Sequence, residues 1–299
     1  MTIREYVLVD AIAGGISLHF TRIENAKNRL TYDGNSTTAL PGTLVCDENN
    51  PTCAGQIADA VNAHKYAGDT YDFYLSRHGR DSLNGMGMSL ISTVRHCEAG
   101  APCPFQNAFW NGTQMAYGAG FSSADDVVGH ELTHGVTDFT SNLLSYYQSG
   151  AINESLSDVW GEFIDQTNGS GTDTPAVKWQ LGEDVPIIGP NGVNGAIRDM
   201  ANPPAFGDPD KMTSPNYFTG SADNGGVHQN TGVNNKAAFL MTDGGTFNGK
   251  TVVGLGIDKV AKIYYEAQTN LLTSGSNYAD LYNYPTICSR RATTSSARA

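Results

Sequence analysis

The 299-residue chain carries 18 Lys and Arg against 30 Asp and Glu, a formal net charge of −12. That balance excludes the basic surface nucleic acid requires, and the apolar runs, short and broken by glycine, exclude a helical membrane span. The length allows two lobes with a core each, and the acidity fits either a solvated surface or calcium binding.

Taken in chain order, residues 5–9 and 16–20 are apolar-rich strands separated by DAIAGG, a hairpin signal. Residues 33–53, rich in Gly, Pro and Asn, read as loop. Helical spacing of Ile57, Ala60, Val61, His64 and Ala67 predicts a helix from Ala54, with a break at Gly68 and a second helix over 69–77. Residues 88–97 predict a strand, and 105–117 an aromatic, Asn-rich edge. Strong helices follow over 123–138, opened by Ser and Asp, and over 152–165, closed by NGSG. Residues 168–234 are loop-rich, and helices resume at 235–241 and 258–271. The layout is a β-rich N-terminal part and an α-rich C-terminal part joined by a central helix.

Of the five cysteines, Cys46 and Cys53 form one close pair, Cys97 and Cys103 another, and Cys288 stands apart. The pairs read as small-loop disulfides of an oxidising compartment; the alternative is four reduced, buried thiols. The opening segment lacks the basic start and apolar core of a signal peptide, so secretion calls for a targeting segment outside this chain.

The chemistry concentrates in HELTH at 130–134. In a helix, positions i and i+4 share a face, so His130 and His134 can offer two imidazoles to one tetrahedral ion. Glu131 lies ~100° around the axis, beside the ligands and suited to act as base for a metal-activated water. On the next predicted helix, GAINESLSD brings Glu154 as third ligand, leaving a fourth position open as a catalytic zinc requires. Asp158, one turn on, and Asn153 are candidates for orienting the two imidazoles.

These segments carry a resemblance. DVVGHELTHGVTDFTSNLLSYYQSGAINESLSDVWGEF (126–163), NAFWNGTQMAYG (107–118), RDMANPPAFGDPDKM (198–212) and DNGGVHQNTGVNNKAA (223–238) resemble the thermolysin family of zinc metalloendopeptidases, in the family's order, over roughly residues 30–284. The resemblance implies an α+β, two-lobed metalloprotease with the zinc site between its lobes: a β-rich N-terminal lobe over 30–138 and a mainly α-helical lobe over 139–284. It implies that His228 donates to the oxyanion and is oriented by Asp223. Asn107 and the Ala108 carbonyl would hold the substrate backbone. Arg198 would grip a substrate carbonyl beside an apolar pocket to which Val127, Leu181 and Ile197 contribute. Residues 4–29 resemble the tail of the family's propeptide, which places residues 1–29 before a mature enzyme beginning near Leu30.

Three departures stand out. Where the family places an oxyanion-binding tyrosine this chain has Ser145, with Tyr146 and Tyr147 next to it; loss of one such donor costs around a hundredfold in rate. The family's paired-calcium site maps onto Asp126, Asp165, Lys178, Gln180 and Glu183, and the lysine leaves one calcium expected on Asp126, Asp165 and Glu183. Residues 285–299 lack helical periodicity and acids, and are expected to form a poorly ordered, atypical tail.

The sequence thus reads as a secreted zinc endopeptidase with one zinc and one calcium, made as a zymogen. The resemblance implies that it would prefer a bulky hydrophobic residue just after the cleaved bond. Its expected partners are peptide or protein substrates and its own propeptide, with no nucleic acid and no membrane, and it would act as a monomer. The rival readings are a catalytically impaired peptide-binding relative and a structural zinc protein, the latter having no need of Glu131.

Overall fold

The computed structural model describes residues 27–187 and 195–283 in full, and the backbone of 3–9 and 16–23. Strands β1 (Ile3–Val9) and β2 (Ile16–Ile23) pair antiparallel as a separate two-stranded sheet, matching the predicted hairpin. The main sheet has five strands in the order β4-β3-β5-β7-β6: β3 (Arg29–Asp33), β4 (Thr43–Cys46), β5 (Leu90–Val94), β6 (Ala108–Trp110) and β7 (Met115–Tyr117). β5 runs parallel to both β3 and β7, while β6 closes antiparallel on β7 and forms an outer edge. Residues 33–53 are therefore not all loop. The short, half-exposed β4, TLVC, is a run of strand-forming residues inside an otherwise Gly-, Pro- and Asn-rich segment, and it pairs with β3.

Helix α1 (Ala58–His78) is continuous, which corrects the expected break at Gly68. The glycine serves packing: a Cβ there would lie 2.7 Å from Arg29 Nη1. The bare backbone lets that guanidinium reach Glu48 and the His64 carbonyl. α1 ends at Gly79, held at φ 66°, as a left-handed C-cap prefers.

Helices α2 (Asp125–Asp138) and α3 (Tyr147–Asn168) form the centre. α3 starts five residues before the predicted 152, because its first turn lacks the apolar periodicity that signals a helix. Leu132, Val136, Ile152, Leu156, Trp160, Phe163 and Ile164 are almost wholly buried here. Two glycines set the approach of the helices. A Cβ on Gly161 would sit 2.5 Å from the Asp126 carbonyl oxygen, and one on Gly129 would sit 3.2 Å from the Gly161 Cα. The backbones thus pack closer than side chains would permit.

The C-terminal part adds the small pair β8 (Gln180–Leu181) and β9 (Arg198–Asp199), a left-handed turn α4 (Asp223–Gly226) whose four residues all have positive φ, and helix α5 (Gly232–Asp243). A hairpin of β10 (Gly244–Phe247) and β11 (Lys250–Val253) follows, which the sequence reading did not anticipate. Helix α6 (Ile257–Glu266) then widens into a π-type turn over Ala267–Leu271. Cys46 is bonded to Cys53 and Cys97 to Cys103. The expectations for Cys288 and residues 285–299 lie outside the described residues.

Candidate metal centre and cleft

The close crossing of α2 and α3 brings His130, His134 and Glu154 together, with their ligand atoms all within 4.8 Å of one another. His130 Nε2 lies 3.0 Å from His134 Nε2 and 3.4 Å from Glu154 Oε2, and His134 Nε2 lies 3.6 Å from Glu154 Oε1. A tetrahedral ion with bonds of ~2.0–2.1 Å spaces its ligands ~3.3 Å apart. The three side chains fit one zinc-sized ion.

The far side of each imidazole is fixed. His130 Nδ1 is 2.9 Å from Asp158 Oδ1, and His134 Nδ1 is 3.0 Å from Asn153 Oδ1. The Asn153 amide donates its N–H to the Leu143 carbonyl at 3.0 Å, so its oxygen faces His134. His134 therefore carries its proton on Nδ1 and turns a bare Nε2 to the ion. Ser157 Oγ, at 3.2 Å from the same Nδ1, is a second partner that the spacing argument missed although it sits on the same helix.

Asp158 is completely buried and serves more than His130. Arg198 grips it with both arms, Nη2 to Oδ1 at 2.6 Å and Nε to Oδ2 at 2.8 Å. Asn235 Nδ2 adds a bond to Oδ2 at 2.7 Å. Asn235 comes from α5, and no sequence signal marks it. Burial alone would raise Asp158, but the Arg198 charge and its bond to His130 hold it below the usual carboxylate range.

Electrostatics mark a place for positive charge. Burial would lower His130, yet the bonds to Asp158 and Glu154 overcome it and push it up to about 10. Burial likewise works against ionised Glu154, but His134, His130 and His228 hold it well below its ordinary value. Glu131 is buried beside this group; burial, with Glu154 adding to it, raises its carboxyl, against the lowering pull of the two histidines and the Trp110 amide. A raised carboxylate at the edge of a metal site is a competent proton acceptor.

A cleft of about 460 Å³ runs past these groups. Asn107, Ala108, Ser145, Arg198 and His228 line it, together with the apolar Val127, Leu181 and Ile197. β6, which carries Ala108, is a sheet edge whose outer backbone groups can pair an extended chain. His228 is more than half exposed, its Nδ1 2.7 Å from Asp223 Oδ1 and its Nε2 3.6 Å from Glu154 Oε2. Asp223 also accepts the His228 backbone N–H at 2.9 Å, from a left-handed turn at φ 50°. Neither Tyr146 nor Tyr147 lines the cleft; both are exposed, and Tyr147 packs over Gly225.

Of the acids expected to hold calcium, Asp126 lies in the first turn of α2, Asp165 in the last turn of α3, and Glu183 just after β8. Asp126 accepts the Val127 N–H at 2.6 Å and also that of Gly182. Asp165 and Glu183 each hold one buried oxygen without a donor, and so does Glu162, which the sequence reading overlooked. Those orphaned oxygens fit a hard cation. Lys178, expected to oppose one, pairs with Asp243 at 2.8 Å instead.

Comparison with known proteins agrees with this geometry. The family model described as thermolysin metallopeptidase, catalytic domain, matches residues 10–138, and that described as thermolysin metallopeptidase, alpha-helical domain, matches residues 141–296. Bacillolysin of Bacillus caldolyticus is 44% identical over 258 residues, which cover 84% of this chain and 45% of the relative. Thermolysin of Alicyclobacillus acidocaldarius subsp. acidocaldarius gives the same figures. The solved precursor of protealysin, a metalloproteinase from Serratia proteamaculans, superposes with a TM-score of 0.69 at 31% identity, covering 86% of this chain and 80% of that one. The chain spans about half the length, 45%, of the curated relatives it matches.

Proposed function

The chain belongs to the thermolysin family of metallopeptidases, and from that membership and the site's geometry we propose that the protein is a secreted, zinc-dependent endopeptidase. The observation that carries the proposal is the convergence of His130, His134 and Glu154 on one ion-sized gap, with Glu131 buried beside it in an open cleft. His130, His134 and Glu154 would hold the zinc. When bound, it supplies a Lewis acid for the scissile carbonyl and brings a water's pKa towards neutrality.

The chain's own residues do the rest. Glu131 takes a proton from the attacking water and returns it to the leaving amine. His228, oriented by Asp223, donates from Nε2 to the oxyanion. Asn107 and the edge-strand backbone at Ala108 hold the substrate extended, and Arg198, anchored on Asp158, offers its remaining N–H groups to a substrate carbonyl. Val127, Leu181 and Ile197 form the apolar wall that would select a bulky hydrophobic residue on the leaving-group side. Asp158 and Asn153 orient the ligands.

The proposal extends to one structural calcium on Asp126, Asp165 and Glu183, and to a propeptide remnant in residues 1–29. The separate β1–β2 sheet supports the latter. The two disulfides favour an oxidising compartment, and the lobes would divide after Asp138. The impaired, peptide-binding alternative rests on Ser145 in the cleft, but Glu131 and His228 line it too, which leaves a working base and donor.

The test is digestion of casein and of a peptide set with varied residues after the bond, with and without a zinc chelator. Chelator-sensitive cleavage before Leu, Ile or Phe is expected. Cleavage insensitive to the chelator would overturn the zinc mechanism, and absence of cleavage by zinc-loaded protein would favour the binding alternative.

A further inference from the structure

The turn that presents His228 is held between two aromatic rings. All four residues of α4 lie at positive φ, between 49° and 94°. Asp223 and Asn224 carry a Cβ, so this left-handed run is unfavourable for them and must be held by what surrounds it. On one side stands Phe218: a Cβ on Gly226 would meet its ring at Cδ1, 2.7 Å away, and at Cγ, 3.0 Å away. The buried Asn230 ties Phe218 down, accepting its N–H at 2.9 Å and donating to its carbonyl at 3.0 Å. Tyr278 in turn donates to the Asn230 carbonyl at 2.7 Å. On the other side stands Tyr147, the first residue of α3: a Cβ on Gly225 would meet its ring at Cγ, 2.7 Å away, and at Cε1, 2.8 Å away. Tyr147 is at φ 45° and 42% exposed, and Tyr146 meets its ring edge-on with centroids 4.5 Å apart.

The docking of this turn decides where His228 stands. Val227, 1% exposed, seats on Gly150, where a Cβ would come within 3.1 Å of the Val227 Cβ. Tyr147, Gly150 and Glu154 recur along α3 at helical spacing and share a face. The turn therefore touches α3 at 147 and at 150, and His228, next after Val227, comes to rest with Nε2 3.6 Å from Glu154 Oε2. Asp223 holds the His228 backbone N–H at 2.9 Å and Nδ1 at 2.7 Å, but it belongs to the same turn. Those bonds fix the imidazole relative to the turn. Packing on α3 fixes the turn relative to the metal ligands.

We propose that Tyr147 is a positioning residue for His228: its ring, laid over Gly225, seats the left-handed turn on α3 and so sets the reach of His228 Nε2 over the metal centre. The inference rests on the proposed role of His228 as oxyanion donor. The contact runs through ring carbons, so the ring and not the hydroxyl carries the effect. Tyr147 thus serves the oxyanion without touching it, and a donor misplaced by about 1 Å costs on the order of a hundredfold in rate.

The experiment compares Tyr147→Ala, Tyr147→Phe, Gly225→Ala and His228→Ala with wild type, each as the zinc-replete full chain. Peptide cleavage gives kcat and KM, and amide hydrogen exchange read by mass spectrometry reports on residues 223–228. Tyr147→Ala should lower kcat by about 10–100-fold with KM within about threefold, zinc content unchanged and faster exchange in the turn. Tyr147→Phe keeps the ring and should hold kcat within about twofold of wild type, with exchange protection intact. Gly225→Ala drives the turn off the ring from the other side and should reproduce the loss, which keeps the test open if Tyr147→Ala folds poorly. A merely structural role would lower the melting temperature and leave kcat per zinc-loaded chain unchanged. Wild type that does not cleave, or that keeps its kcat in His228→Ala, would overturn the reading on which the inference stands. If wild type cleaves and depends on His228, the inference alone is overturned by any of three results: kcat kept in the Tyr147→Ala and Gly225→Ala variants, kcat lost without faster exchange in the turn, or Tyr147→Phe falling as far as Tyr147→Ala.

Discussion

Replacing Asp158 with Asn changes almost no volume but removes the charge on which the metal ligand and the cleft arginine both lean. Asp158 receives four contacts, from His130 at 2.9 Å, from Arg198 at 2.6 and 2.8 Å, and from Asn235 at 2.7 Å. An amide must turn an NH2 either towards His130 or towards the donors of Arg198 and Asn235, so one direction loses its acceptor. Arg198, itself buried, is left without its carboxylate. Breaking a buried pair in this way costs about 3–5 kcal/mol. Because Arg198 borders the open cleft and water can reach it, the lower end, ~3 kcal/mol, applies. At ~2–4 °C per kcal/mol, Asp158→Asn should melt ~6–12 °C lower. Loss of the partner of a ligating histidine should also weaken zinc ~10–100-fold. Thermal melts and zinc competition against a chelator of known affinity read both effects. A variant that melts within about 2 °C of wild type and holds zinc within about twofold would refute the shared-anchor reasoning.

Three further outcomes follow from the same geometry. Burial raises Asp126 to about 7 and Glu183 to about 10, so between the unfolded carboxylate range and those values the folded state holds protons the unfolded chain has released. Stability of calcium-free protein is therefore greatest below about pH 4 to 4.5 as far as these groups contribute, and that contribution is lost as pH rises through 7 towards 10. Calcium should raise the melting temperature strongly at pH 8 and little at pH 5, and an equal effect at both would contradict the assignment. Gly161→Ala, which puts a methyl 2.5 Å from the Asp126 carbonyl, should cost about 1–3 kcal/mol and weaken zinc as α2 and α3 part; unchanged melting would show that the helices have slack there. Mass spectrometry without reduction should find Cys46–Cys53 and Cys97–Cys103 bridged, with each short loop contributing about 2–3 kcal/mol. Four free thiols would remove the argument for an oxidising compartment.

The centre of the molecule was legible because its chemistry is locally periodic. His130 and His134 are one turn apart on α2, and Glu154 and Asp158 are one turn apart on α3 with Asn153 next to Glu154, so helical spacing places the ligands towards a common point. Residues that arrive from elsewhere left no such trace. Asn235 reaches Asp158 across 77 positions, and only the fold makes them neighbours. Gly68 looked like a helix break because local propensity cannot know that Arg29 needs the space. β4 and the β10–β11 hairpin, by contrast, had local signals that the reading passed over: TLVC is rich in strand formers, and Asn248-Gly249, both at positive φ, is the favoured two-residue hairpin turn.

The account's central claim is that Glu131 moves the proton while His130, His134 and Glu154 hold the ion. Glu131→Ala separates those two roles, and the direct measurement is zinc content and peptide cleavage on the same purified sample. One zinc per chain with cleavage reduced by several orders of magnitude is the predicted result, with His134→Ala losing both. Cleavage by Glu131→Ala at near wild-type rate would contradict the account.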